Sequence, residues 1–226
     1  MSDLPPPPRP SSVPSPPLSK TTGSPVGVGN ALRVLFILLA VAQGLFVVTL
    51  GNRYAYVSDV KNGKDVFTTE RADEVDEYVS LAGGVTVLLS IAVFVLLVIF
   101  LYRLVVHTRQ KGGTLRHSNG MAIGGFFIPF ANIFIPYRLF TDVTRFLRER
   151  APHQRSAHVI FNWWWWTYIA GLFVLQFGTT SDSDDIESLL DSDGYSIVAT
   201  LLLISATIFA AIAVRRITNT ARNVLS

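Results

Sequence analysis

Five runs without charged residues divide the chain, and clusters of charged residues separate them. The hydrocarbon core of a bilayer is about 30 Å thick, so about 20 predominantly apolar residues in a helix cross it. Four of the runs have this character and predict transmembrane helices. The predicted spans are about 31–50, 79–105, 159–178 and 195–214. The pattern indicates an all-α fold, that of a polytopic integral membrane protein with four transmembrane helices.

The fifth run differs in composition because prolines and glycines interrupt it. Pro129 and Pro136 lack the amide hydrogens that would bond in a helix to the carbonyl groups of Gly125 and Asn132. Such unpaired groups cannot face lipid, and they must be buried in protein or line a wet cavity. We therefore expect residues 120–137 to form a re-entrant or interfacial segment rather than a fifth span.

Apolar and basic residues alternate at helical spacing directly after this segment. The apolar positions are Phe140, Val143 and Leu147, and the basic positions are Arg145 and Arg148. This pattern predicts an amphipathic helix at about 138–150 that lies along the membrane surface.

The distribution of lysine and arginine predicts the orientation, because these residues favour the cytoplasmic side. With four spans, 15 of the 19 lie on the side of both termini and four lie on the other side. A fifth span at the proline-containing run would reverse the balance to seven against 12. The sequence therefore predicts a multi-pass protein of the cell membrane with cytoplasmic N- and C-termini.

Composition adds two constraints. Charged residues make up 15% of the chain, well below the roughly 25% of soluble domains, and the absence of cysteine excludes disulfides and thiolate chemistry. Residues 1–30 hold nine of the 12 prolines, so we expect a disordered cytoplasmic tail. The PxxP spacing between Pro5 and Pro8 predicts docking to a cytosolic protein, and the alternative is a solvated leader.

Four adjacent tryptophans mark the cytoplasmic end of the third predicted span. They are Trp163, Trp164, Trp165 and Trp166. Successive helical positions turn by about 100°, so the four indoles point in different directions and do not form one stacking face. Tryptophan favours the headgroup layer, and we expect all four to be interfacial anchors.

The interrupted segment resembles the core motif of the bacterial domain-of-unknown-function family 4328. In that family the pattern runs approximately Pro-Gly-Trp-Ala-x-Gly-Trp-x-x-x-Pro-x-x-Asn-x-x-x-Pro-Tyr, and it corresponds here to residues 119–137. Gly120, Gly124, Pro129, Asn132 and the pair Pro136-Tyr137 match it. The resemblance covers about residues 31–215. It implies a four-helix membrane domain, often bacterial, with no assigned activity.

The sequence offers no visible site for catalysis, a cofactor, a metal or nucleic acid. The predicted spans contain no ionisable residue at their centres, and the four histidines lack the spacing of metal ligands. The strongest signal is basic, since residues 103–155 carry nine cations and two acids. Near an anionic leaflet each cation contributes about 1 kcal/mol of binding free energy.

We therefore expect a non-enzymatic membrane adaptor or assembly factor whose basic cytoplasmic face binds anionic lipid or a partner. The candidate binding residues are Arg103, Pro129, Asn132, Pro136 and Arg138. The prolines and Asn132 shape the site, and the two arginines supply charge. The alternative is a small oligomeric channel or carrier lined by residues 120–137, in which carbonyl groups freed by the prolines coordinate a cation.

Overall fold

The structure, a computed structural model, describes residues 23–128, 131–153, 157–178 and 186–225. The described residues form α-helices and no strand, as the sequence predicts. The helices are α1 (Pro25–Lys61), α2 (Thr69–Gln110), α3 (Met121–Gly124), α4 (Ala131–Arg150), α5 (His158–Gly178) and α6 (Ile186–Leu225). Most of the predicted proline-rich tail lies outside the described residues.

The last part of that tail is helical, which corrects the predicted boundary at residue 30. Ser24 caps α1, because its hydroxyl oxygen accepts a hydrogen bond from the amide of Val26 at 3.2 Å. Pro25 occupies the first helical position, where a missing amide hydrogen costs nothing. Helix α1 therefore begins at Pro25, six residues before the predicted span.

Three helices are long and apolar enough to cross a membrane, namely α1, α2 and α6. At 1.5 Å per residue they are about 55–63 Å long, roughly twice the thickness of a hydrocarbon core. Only 22–39% of the most apolar stretch of each helix is buried inside the protein. The predicted spans 31–50, 79–105 and 195–214 lie within these helices.

Helix α5 covers the fourth predicted span, but it is not among the three helices that qualify by length and hydropathy. Its 21 residues suffice in length. Its composition is less apolar because Asn162, Gln176 and four tryptophans interrupt the aliphatic side chains. The number of helices shown to have the character of a span is therefore three, not the predicted four.

The long helices pack in a row. Helix α6 lies between α5 and α1, and α1 lies between α6 and α2. Within the described residues, α2 and α5 do not pack against each other. Helix α4 contacts α2, α5 and α6 at one end of the row, which we call the α4 end, and α3 packs there between α2 and α4.

The core is concentrated near the α4 end. The largest fully buried side chains include Leu32, Phe100, Leu101, Leu104, Leu139, Phe140, Phe161 and Ile217. Small residues face the neighbouring helices on α6, where Ala206, Ala210 and Ala213 are buried. Lipid tails are as apolar as these side chains, so moving the side chains out of lipid contributes little free energy. Close van der Waals packing holds such helices together in a membrane.

The segment 120–137 is more helical than the sequence predicts. Helix α3 is a single turn, and α4 starts at Ala131 and passes through Pro136. Its helical bonding begins early, since the amide of Asn132 donates to the carbonyl of Ile128 at 3.0 Å. Proline at position 136 removes only one bond near the start of the helix. The predicted start of the amphipathic helix, at about 138, was therefore too late.

At the opposite end of the row, α1 and α2 continue through residues 51–61 and 69–78, which the charge pattern assigned to loops. Arg53 joins three helices there. It donates to both carboxylate oxygens of Asp193 on α6 and, over 3.1 Å, to Asp76 on α2. The ends of these helices thus pack together beyond the predicted spans.

Candidate functional site

Helix α4 has one apolar side and one basic side. Leu139, Phe140, Val143 and Leu147 are buried against the rest of the protein. Arg138, Arg145 and Arg148 are exposed on the other side, and we call these three residues the basic face. The predicted amphipathic character of this helix is present in the structure.

An aromatic cluster fixes α4 on α5. The rings of Phe140 and Phe161 are 4.9 Å apart, and Phe161 also contacts Trp164 at 5.1 Å. Tyr137 stacks on Phe161, and its hydroxyl donates to the side-chain oxygen of Asn162 at 3.1 Å. Aromatic pairs of this kind each contribute about 0.5–1.5 kcal/mol beyond the area that they bury. The cluster therefore holds the basic face in a defined position relative to the start of α5.

The four tryptophans do not share one environment, which corrects the prediction that all are anchors. Trp164 and Trp165 are 5% and 4% exposed and pack in the aromatic cluster. Trp163 and Trp166 are 62% and 55% exposed. Helical rotation turns two indoles inward and two outward, so the interfacial role stays a prediction for Trp163 and Trp166 only.

A cleft of about 220 Å³ lies between α4 and the start of α5. Its lining includes, among the described residues, Thr141, Thr144, Arg145, Arg148 and His158. The two threonine hydroxyls donate to backbone carbonyls of α4, at 2.9 and 3.0 Å. Within the described parts of the chain, neither arginine of the cleft forms an ion pair or a hydrogen bond. The cleft therefore presents two guanidinium groups to a ligand.

Several other cations at the α4 end are held by the protein itself. Arg150 stacks on the ring of Phe146, 3.7 Å from its centroid, and donates to the carbonyl of Lys111. Arg116 pairs with the carboxylate of Asp142 at 3.6 Å, and its amide donates to the same group. These contacts attach the loop that follows α2 to helix α4, so Arg116 and Arg150 have a structural role.

The predicted site residues occupy different positions. Arg103 lies on α2, where its guanidinium donates to the carbonyl of Ser24 at 3.3 Å and so holds the start of α1. Asn132, Pro136 and Arg138 lie on α4; Pro136 is buried, and the other two are exposed. Pro129 lies outside the described residues. The binding role of these five residues stays a prediction.

The amphipathic pattern placed Arg145 and Arg148 on the basic side of this helix. It did not identify Thr141, Thr144 and His158 as the other residues of a cleft. A signal was present for the two threonines, because positions 141, 144, 145 and 148 have the spacing that places residues on one face of a helix. His158 had no such signal, since the turn after α4 brings it to the cleft.

Among the described residues, no three histidine, aspartate or glutamate side chains are placed to hold a metal ion. The ring of His107, one of the four histidines, forms a hydrogen bond with the carbonyl of Arg103 at 2.9 Å.

The fold and the basic face define an all-helical protein with membrane-like apolar helices and an amphipathic helix at one end. Residues 64–219 match the family described as Domain of unknown function (DUF4328). Because the match covers more than half of the chain, the protein belongs to this family, and the predicted membership is confirmed. The match begins just before α2 and leaves α1 outside. No curated protein and no solved structure matches the chain.

Proposed function

We propose that the protein crosses the cell membrane four times, with both termini and α4 on the cytoplasmic side. The excess of lysine and arginine at the α4 end supports this orientation. Helix α5 packs along α6, one of the three helices with the character of a span. Its 21 residues extend over about 31 Å, enough to reach from the headgroup layer through most of a hydrocarbon core.

We further propose that the protein is a non-enzymatic membrane adaptor or assembly factor that binds anionic lipid headgroups through the basic face of α4. One observation carries this proposal. The apolar side of α4 is buried against the other helices, while Arg138, Arg145 and Arg148 remain exposed. At a cytoplasmic surface these three cations contribute about 1 kcal/mol each to the attraction of anionic lipid.

Lipid retention tests the proposal. The triple variant R138Q/R145Q/R148Q removes the basic face, and the control K61Q/K64Q/R71Q removes three exposed cations at the opposite end. Each variant is extracted from membranes into nanodiscs, and native mass spectrometry measures the anionic lipid that co-purifies. We expect a loss of anionic lipid in the first variant only. Equal retention in both variants would refute the proposal.

The recruitment part of the adaptor proposal rests on the proline-rich tail. Deleting residues 1–22 is expected to remove a stoichiometric cytosolic partner while leaving the lipid content unchanged. Native mass spectrometry of the same nanodiscs measures both.

The channel or carrier alternative depends on Asn132, whose exposed position on α4 leaves its side chain accessible. In proteoliposomes, cation flux that disappears in Asn132→Leu would favour this alternative over the adaptor. Absence of flux in the unmodified protein would refute it.

A further inference from the structure

We infer that the cleft between α4 and α5 is a specific site for the phosphate group of an anionic membrane lipid. The inference rests on the proposed function, because it requires α4 at the membrane surface. It goes further in naming one site and one chemical group, where the proposed function needs only a diffuse basic surface.

The chemistry of the lining is that of a phosphate site. Arg145 and Arg148 are three positions apart and therefore adjacent on α4. The planar guanidinium group donates two parallel hydrogen bonds to phosphate oxygens, a geometry that lysine does not provide. The described lining residues include no carboxylate that would repel an anion.

The start of α5 adds a favourable field. His158 is the first residue of this 21-residue helix and lies in the wall of the cleft. The N-terminus of a helix carries a partial positive charge and amide groups that favour phosphate. The dipole of α5 thus acts in the same direction as the two guanidinium groups.

The size of the cleft limits the ligand. Its volume is about 220 Å³, below the roughly 300–1,000 Å³ of pockets that enclose drug-sized molecules. A phosphate group with a small substituent fits this space.

The depth of the cleft favours a lipid over a soluble anion. Trp163 and Trp166 are exposed on α5 and follow His158 by five and eight residues. They are therefore about 7.5 and 12 Å further along the helix axis. Exposed tryptophans lie at the membrane interface, whose polar layer is about 5–7 Å thick on each side. His158 and the cleft then reach the level of the lipid phosphates.

Intrinsic fluorescence gives a direct readout, because the four tryptophans of the chain are residues 163–166, beside the cleft. The full-length protein in neutral detergent is titrated with dihexanoyl phosphatidic acid, and dihexanoyl phosphatidylcholine serves as the zwitterionic control lipid. The cleft variant is R145Q/R148Q. The matched variant R215Q/R222Q removes two exposed cations outside the cleft and outside the basic face, so both variants have the same net charge.

We expect a saturable change with phosphatidic acid in the unmodified protein and an apparent Kd at least about tenfold higher in R145Q/R148Q. The loss of one charge-assisted hydrogen bond accounts for a change of that size. The matched variant is expected to stay within about twofold. R145K/R148K keeps the charge but loses the fork geometry, so its affinity is expected to be intermediate.

Other outcomes would overturn the inference in distinguishable ways. An equal loss of affinity in the two glutamine variants would refute the specific cleft and leave the diffuse basic surface of the proposed function intact. Unchanged affinity in both would refute the cleft and the proposed function together. If inorganic phosphate competed at the same concentrations as the lipid, the assignment to a lipid would be wrong. Thermal unfolding of each variant verifies that it is folded.

Discussion

At the scale of single residues, Gly29 illustrates how closely the helices approach. A β-carbon added to it would meet the hydroxyl of Thr218 on α6 and lie 2.9 Å from the ring of Phe100 on α2. A larger side chain than that of glycine does not fit at this position, where α1, α2 and α6 meet. Gly27, two positions earlier on the same helix, is exposed and has nothing within 4 Å of the same added atom.

These two glycines provide a matched test of the packing. Gly29→Ala is expected to destabilise the protein by about 1–3 kcal/mol, the usual cost of overpacking. Gly27→Ala is expected to be neutral or to stabilise by about 0.5–1 kcal/mol through helix propensity. Thermal unfolding in detergent, followed by circular dichroism, compares them. Equal midpoints would contradict the close approach of α1 to α6.

The ion pairs at the end opposite to α4 differ in burial, and we expect them to differ in energy. Arg53→Gln leaves the carboxylate of Asp193, only 2% exposed, without its partner, at a cost of about 3–5 kcal/mol. Lys61→Gln breaks an exposed pair with Glu187, which costs less than about 1 kcal/mol.

Thermal unfolding midpoints measure both effects, and R53Q/D193N serves as a further control. The double variant removes the unpaired carboxylate, so part of the lost stability is expected to return. A similar midpoint for R53Q and K61Q would show that the buried cluster does not join the three helices.

Some residue-scale properties were readable from the sequence and others were not. Helical rotation predicts that the four consecutive indoles point in different directions. It does not predict which of them are buried, because Trp164 packs on Phe140 and Trp165 on Tyr137, both of another helix. Arg103 shows the same limit, since its contact with Ser24 depends on how α1 and α2 pack.

At the scale of elements, the contact between α4 and α5 determines where the basic face lies. Phe161 is fully buried and touches both helices. Phe161→Ala is expected to destabilise the protein by about 3–5 kcal/mol through the cavity that it leaves. Leu172→Ala, at a partly exposed position on the same helix, is the control and is expected to have a small effect.

Near-ultraviolet circular dichroism of the tryptophans measures the order of this cluster, and thermal unfolding measures its stability. Loss of the aromatic signal in F161A and its retention in L172A are the expected results. Retention in both would mean that the ring cluster does not hold α4 on α5.

The helices that the sequence identifies occur in the predicted order along the apolar runs, but three of the described helices rather than four have the character of a span, and the helix ends differ from the prediction. Charged residues predict a loop between α1 and α2, yet the actual connection is only residues 62–68. Helix α1 continues to Lys61 because Arg53 finds partners on α2 and α6, which no local pattern reveals. Likewise, Pro136 indicates a break, although its early position in α4 removes only one hydrogen bond.

At the scale of the whole molecule, the row of long helices leaves much apolar surface on its outside. In each of the three apolar helices, less than two fifths of the most apolar stretch is buried. Exposed apolar surface of this extent is rare in soluble monomers. Hydropathy alone thus predicts the class of the protein, while the position of α4 across the end of the row arises from tertiary packing.

The central claim is that α5 crosses the membrane, so that α6 ends on the cytoplasmic side together with the basic face of α4. The chain contains no cysteine, so single cysteines at exposed positions report topology without background. Lys64→Cys, His153→Cys, Glu187→Cys and Asn223→Cys sample the two ends of the row. A membrane-impermeant maleimide is applied to intact cells and again after permeabilisation.

The account predicts labelling of the cysteines at 64 and 187 in intact cells, and labelling of those at 153 and 223 only after permeabilisation. If α5 does not cross, α6 has the opposite direction. The cysteine at 187 would then react together with the one at 153, and the cysteine at 223 together with the one at 64. That exchange would contradict the four-span account, in which the end of α6 lies on the same side as α4.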